Sequence, residues 1–250
     1  MPAISVITPT FNTPPGTLAR TWASLKRQTF TDWEWVVWDD STKPETWAQL
    51  YGFASDERYK LTAHKSHTHS GFIGAIKRKA FMSAEGDILV ELDHDDELSP
   101  DALQKIHDAF GDSDVGFVFS DWAEVFPDGT SKKYPEGWGF GFGETYWHEQ
   151  RGVWAHRIAD MTWDSIKHIV SVPNHVRAWR ASDYRLIGGH NPELPVADDY
   201  ELIIRTFKHC AWKHIPELLY VQHVGESNTH VSKNALIQQL VARIRAELVE

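Results

Sequence analysis

Cysteine is almost missing. Cys210 stands alone in 250 residues, so no intrachain disulfide can form and nothing in the chain demands an oxidising compartment. No apolar run approaches the ~20 residues that span a bilayer. The short stretch Ile4 to Ile7 runs into a polar turn too soon for a signal peptide. The expectation is a cytoplasmic chain with no transmembrane segment, peripheral membrane contact being left open. Basic residues are also short: 25 Lys and Arg face 35 Asp and Glu, for a formal net charge of -10. That argues against the broad basic surface of a nucleic-acid binder. A nucleotide-sized anion stays admissible where a metal and local basic groups neutralise it. There is no internal repeat and no low-complexity tract.

What is present is an alternation of strand-like and helix-like segments. Residues 3–10, 33–38, 59–62, 87–92 and 115–120 read as strands, interleaved with a helix capped by Thr17 that carries Leu18, Trp22 and Leu25 on one face and with helical patterns at 71–84 and 101–110. This order predicts an α/β fold: a mostly parallel central sheet with flanking helices, whose ligands sit beyond the carboxyl ends of the strands. After Asp121 the pattern changes. Pro127-Asp128-Gly129 marks a turn, and residues 135–163, rich in Gly, Trp, His and Tyr, read as a long irregular functional loop. Short strands are expected at 176–179, 212–215 and 218–222, a short helix at 182–186, and a helix opening at Asp198-Asp199. Residues 234–248 form an amphipathic helix whose stripe of Leu236, Ile237, Leu240, Val241, Ile244 and Leu248 reads as a docking face.

The stretch that organises the rest is Asp87 to Glu97. A buried strand ends there in Asp93, Asp95 and Asp96, three carboxylates within four positions. Such a cluster resists desolvation and repels itself, so packing gains nothing from it. A divalent cation relieves the repulsion, and oxygen ligands favour Mg2+ or Mn2+ over zinc. The competing reading is a solvated acidic turn ahead of the helix start at Ser99-Pro100. Two further strand ends carry Thr8 with Thr10 and Asp39 with Asp40, and the three should meet in one crevice. His64, His67 and His69 suggest zinc at first sight. Without Cys or a suitably spaced Asp, a polar loop is the better reading.

These pieces, in this order, resemble the family 2 glycosyltransferases, inverting enzymes of the GT-A fold. The resemblance lies in Ile4 to Asn12, Ser24 to Phe30, Val36 to Thr42, Leu92 to Asp96, Arg177 to Arg180 followed by Gly188-Gly189, and Asp198 to Leu202. It implies a single GT-A domain over 1–250: a nucleotide-sugar half to about 121, an elaborated acceptor-side half over about 122–230, and the helix of 231–250. It implies transfer of a sugar from a nucleotide diphosphate sugar, a UDP-sugar by preference, to a carbohydrate or other hydroxyl acceptor, with Mn2+ or Mg2+.

Residue by residue, Asp95 and Asp96 become the metal candidates, with His223 a third; His223 also suits a plain strand-end hydrogen bond. Asp93 or Asp95 would hold the ribose. Asp40 resembles the residue that accepts from the uracil N3–H, against a simple Asx-turn. Thr8 and Thr10 can serve base and ribose, and Lys77 and Arg78 can approach the diphosphate. Family members often carry Asn where Arg78 stands, which leaves a solvated face open for it. Asp199 is the candidate general base, and Asp198 beside it should raise its pKa by like-charge repulsion. Alternatively both aspartates merely favour a helix N-terminus. His175 and the aromatics Trp138, Tyr146, Trp147, Trp154 and Trp163 are candidates around the acceptor, most of these aromatics being structural. The alternatives to this function are a sugar nucleotidyltransferase, which lacks its Gly-rich phosphate loop here, and a non-catalytic carbohydrate-binding relative.

Overall fold

The structure is a computed structural model and describes residues 1–56, 59–158, 161–170, 172–225 and 232–248. Residues 226–231, where the acceptor-side half was expected to pass into the last helix, lie outside the described residues.

One ten-stranded sheet runs through the molecule, eight of its strands lying side by side along one path. Its first four strands, β3 (Lys60–Lys65), β2 (Trp33–Asp39), β1 (Ile4–Thr10) and β4 (Ile88–Glu91), are all parallel. Then β9 (Arg177–Arg180) enters antiparallel between β4 and β6 (Val115–Val125). Next comes β10 (Ala211–His223), parallel to β6, and the two-residue β5 (Glu97–Leu98) closes that side antiparallel.

Period-2 patterning decides which side chains go to which face. Ile4, Val6, Trp35, Val37, Ile88 and Val90 enter one buried cluster. Helices α1 (Thr17–Lys26), α2 (Glu45–Ala54) and α4 (Ala102–Ala109) cover that face through Leu18, Leu50 and Ile106. Ile7, Val36, Leu89, Phe117 and Trp179 enter the opposite cluster. There α3 (Ile73–Met82), the short α5 (Trp163–His168), α6 (Ala181–Leu186), α7 (Asp198–His209) and α8 (Asn234–Leu248) pack. Val241 and Ile244 of α8 are 1% and 2% exposed, so its apolar stripe docks on the protein's own core.

Three elements differ from the sequence expectation. The aromatic-rich segment contains a hairpin, β7 (Gly143–His148) with β8 (Val153–Ile158), and β8 joins β6 opposite Trp122 and Ala123. The two strands expected near 212–222 are one strand. Pro216, which cannot donate a ladder hydrogen bond, lies at a register shift between Ile215 and Leu218. Helix α2 is an addition, starting just after Pro44.

Candidate active site

The parallel strands deliver Thr10, Asp39 and Asp40 from β1 and β2 to the same side of the sheet as Asp93 beyond β4. Thr8 lies one turn of the pleat deeper. It is fully buried, and its hydroxyl accepts from Trp35 Nε1 at 2.9 Å. Thr10 Oγ1 donates to Asp39 Oδ1 at 3.1 Å, while Lys65 Nζ holds Asp39 Oδ2 at 2.9 Å. Asp40 makes no Asx-turn. Its Oδ2 takes His69 Nδ1 at 2.6 Å and the Ser70 N–H at 3.2 Å, and its Oδ1 is buried without a partner.

The acidic tip after β4 divides into unlike members. Asp96 turns inward and is 1% exposed. Its Oδ2 accepts the Tyr220 hydroxyl at 2.7 Å and its Oδ1 the His223 N–H at 2.8 Å. Burial, together with the charges of Asp95 and Asp93, pushes its carboxyl well above the ordinary carboxylate range. Asp93 and Asp95 remain half-buried and reachable. The Asp95 carboxylate has no protein partner among the described residues; its carbonyl accepts from Arg20 at 2.8 Å. Asp95 and His223 line one cavity of about 210 Å3 beside the start of α1. His223 Nε2 stands 2.9 Å from Glu97 Oε1.

Among the described residues no three His, Cys, Asp or Glu side chains converge to hold a metal alone. This donor set fits a hard cation that takes one or two carboxylates and completes its shell with water and substrate phosphates. It does not fit a closed protein cage.

On the neighbouring strand β9 lies a second group of charges. Arg177 pairs in register with Glu91 of β4. Its guanidinium donates to Asp199 Oδ2 from both terminal nitrogens at 3.2 Å. The same guanidinium lies 3.0 Å from His175 Nε2, which is 3.5 Å from Asp93 Oδ2. Asp199, at the start of α7, is therefore linked to Asp93 through two side chains, although the two aspartates are far apart in sequence.

Beneath them Lys77 of α3 reaches into the protein. Its Nζ is 2.5 Å from Glu91 Oε1 and 3.7 Å from Asp198 Oδ2. Both Glu91 oxygens lack a well-aligned hydrogen bond, so charge rather than hydrogen-bond direction holds this carboxylate. Arg78 faces elsewhere, donating to the carbonyls of Gly188 and His190.

Burial would neutralise all of these groups, and their mutual charges decide which stay ionised. Glu91 is fully buried, yet Lys77 and Arg177 hold its carboxyl well below the usual range. Lys77, desolvated as well, is held protonated by Asp198 and Glu91. The two neighbouring aspartates separate. Burial outweighs Lys77 at Asp198, raising its pKa to about 7. At Asp199 the same burial is overcome by Arg177 and then Lys77, leaving the pKa below its ordinary value. The like-charge repulsion expected at Asp199 is thus borne by Asp198. His175 and His190, desolvated and facing cations, fall to about 4 and about 3. Both imidazoles are neutral at physiological pH.

Glu91, Arg177 and Tyr220, which hold the charged groups of the candidate site in place, are the positions least visible in the sequence. The one signal for Glu91 was a lone acid inside an apolar run; its partner Arg177 lies on a strand 86 positions later. Trp138 is half-buried and packs against the core, stacked on Tyr134 and edge-on to Trp122. Trp147 and Trp163 keep 43% and 37% of their surface exposed.

The chain matches Glycosyl transferase family 2 over residues 5–168. It is 24% identical over 235 residues to the chondroitin synthase of Escherichia coli, which covers 93% of this chain and 30% of that protein. Among solved structures, S. aureus TarS in complex with UDP-GlcNAc superposes with a TM-score of 0.71 at 20% identity, covering 96% of this chain and 66% of that one. The mannosyltransferase PcManGT from Pyrobaculum calidifontis, solved with GDP-Man and Mn2+, gives 0.71 at 18% identity, covering 99% and 64%. The likeness to these two structures is one of fold, the GT-A arrangement. The chain spans 22% to 30% of the length of the curated relatives it matches along most of its own length.

Proposed function

The chain belongs to glycosyl transferase family 2, and from that premise we propose a metal-dependent inverting glycosyltransferase that moves a sugar from a UDP-sugar to an acceptor hydroxyl. The observation that supports this reading is a run of contacts between Asp93 and Asp199: Arg177 donates both to Asp199 and to His175 Nε2, and the neutral His175 ring abuts Asp93 at 3.5 Å. It sets a carboxylate suited to accept a proton beside a carboxylate suited to hold a donor.

In the proposed reaction Asp199 accepts the proton of the acceptor hydroxyl as that oxygen bonds to the anomeric carbon. The bond from that carbon to the diphosphate oxygen breaks on the opposite face, its electron pair leaving with the diphosphate. Arg177 keeps Asp199 ionised and aimed. The low proton affinity this entails suits a late proton transfer, in an oxocarbenium-like transition state such as glycosides use.

A Mn2+ or Mg2+ ion, when bound, supplies positive charge to the departing diphosphate. Asp95 would hold it, with the His223 side chain lining the same cavity and its Nε2 steadied by Glu97. Asp96 is better read as the brace of this turn, tied to Tyr220 and His223. Asp93 and Thr10 would face the ribose and Asp40 the ring N–H of uracil. Thr8 and Lys77 would act from beneath the crevice.

The deciding experiment compares wild type with Asp199→Asn, following UDP release from UDP-sugars and UDP binding by calorimetry in Mn2+. Turnover should fall about 10²–10⁴-fold, the usual worth of a general base, while UDP binding is retained. Unchanged turnover refutes the base. Absence of binding to UDP, GDP and dTDP refutes the donor class.

A further inference from the structure

Part of the chain itself bridges the exposed ring of Phe11 and the buried carboxylate of Asp40. His69 comes from the segment joining β3 to α3 and lays its imidazole on Phe11, with ring centroids 4.4 Å apart and planes 25° from parallel. The same ring brings Nδ1 to 2.6 Å from Asp40 Oδ2. A carboxylate accepts, so Nδ1 carries the proton of this pair. Phe11 is 45% exposed and the His69 side chain 39%, whereas Asp40 is 4% exposed and its Oδ1 has no partner. A half-open ring therefore covers a buried acceptor whose second oxygen is unused.

A planar heteroaromatic ring, stacked on an exposed phenyl and giving a ring N–H to Asp40, is also how a uracil would lie here. His69 and that base cannot share one face of Phe11. Resting on the donor reading above, we propose that His69 is a self-ligand of the base pocket, and that the incoming base displaces it and inherits its hydrogen bond to Asp40.

The segment is built to let the ring go while its ends stay. Ser66 is pinned by Trp38 Nε1 at 3.0 Å and by its own N–H to Asp39 O at 2.8 Å. At the other end Gly71 has φ +73°, and nothing lies within 4 Å of the place a Cβ would take. Glycine tolerates that conformation and can change it without a side chain to move. Displacement of this kind also selects. A base with a ring N–H at the facing edge replaces the bond that His69 gives up. Cytosine and adenine present a ring-nitrogen acceptor there, so the ring N–H that His69 gives up is not replaced in kind and Asp40 keeps only the Ser70 N–H in the same geometry.

The test is calorimetric binding of UDP, GDP and CDP, each with Mn2+, to wild type, His69→Ala and Phe11→Ala. A site blocked by its own side chain loses apparent affinity in proportion to the blocked fraction. Removing one charge-assisted hydrogen bond and one stack should therefore tighten UDP about 3- to 30-fold in His69→Ala. Phe11→Ala should weaken it, and CDP should bind below UDP throughout. In parallel, the His69 ring resonances of the wild type should lose their ring-current shift when UDP saturates the protein. Equal or weaker UDP binding by His69→Ala, or His69 resonances that stay put at saturation, overturns the self-ligand. If none of the three proteins binds any of the three nucleotides, the donor reading itself has failed.

Discussion

Lys77→Met is the sharpest probe of the interior charges. The substitution conserves volume but removes the ammonium 2.5 Å from Glu91 Oε1. Glu91 is fully buried, and the remaining cation, Arg177, is 3.6 Å from Oε2 and shared with Asp199. Breaking a buried pair from one side costs about 3–5 kcal/mol. In a chain of this size that corresponds to about 6–20 °C in Tm. The sign of its pH dependence separates charge from packing. In the wild type the Glu91 carboxyl titrates well below its ordinary 4.5, so its contribution is present above that value and lost as pH falls through the depressed pKa. Without Lys77, burial lifts the folded pKa. The native protein then holds a proton that the unfolded chain has released, and the variant's deficit grows as pH rises from about 4.5. Urea unfolding followed by tryptophan fluorescence at pH 5 and pH 8 measures this. The double variant Lys77→Met/Glu91→Gln should return to within about 1–2 kcal/mol of wild type, because no buried charge is then left facing an apolar group. A loss under about 1 kcal/mol for Lys77→Met, or one equal at both pH values, refutes the reasoning.

Other substitutions follow from the same region. Asp198, raised from 3.8 to about 7, is protonated in the fold where it would be ionised unfolded. Its share of stability therefore falls as pH rises between those values. Asp198→Asn should gain about 2–4 kcal/mol at pH 8 and almost nothing near pH 4, read from denaturant curves. Gly74→Ala would set a Cβ 2.1 Å from Asn191 O and 3.2 Å from Asp198 Cβ. We expect a loss of about 1–3 kcal/mol, typical of overpacking, with slower UDP release as α7 is pushed from Arg177. Ala197→Gly should shift stability by less than about 1 kcal/mol in a thermal melt, because relief of φ 59° at the start of α7 is offset by the lost burial of its methyl and the added freedom of the unfolded chain.

The donor-side strands could be read in advance because each is an apolar run stopped by Asp or Thr, and parallel order places such stops on one side. The acceptor-side pairing could not. Glu91 and Arg177 meet only because β9 enters antiparallel, and no local pattern near 177 states its direction. Asp96 looked like its neighbours until Tyr220, 124 positions away, proved to hold it inward. Asp198 and Asp199 also look alike in sequence. Arg177 touching one and burial enclosing the other makes them opposite in proton affinity. The hairpin β7–β8 was hidden because its alternation lies among glycines and tryptophans that carry no single period.

The outermost parallel strand, β3, leaves one margin of the sheet open. It begins at Lys60 and ends at Lys65, and both ammonium groups are drawn back onto β2, Lys60 to Glu34 at 2.9 Å and Lys65 to Asp39 at 2.9 Å. A strand of another molecule adding to that margin would have to strip water from two cations whose counter-charges are already engaged. The open edge is thereby guarded by the same residues that fasten it to β2, a charged rim of the kind that discourages strand addition.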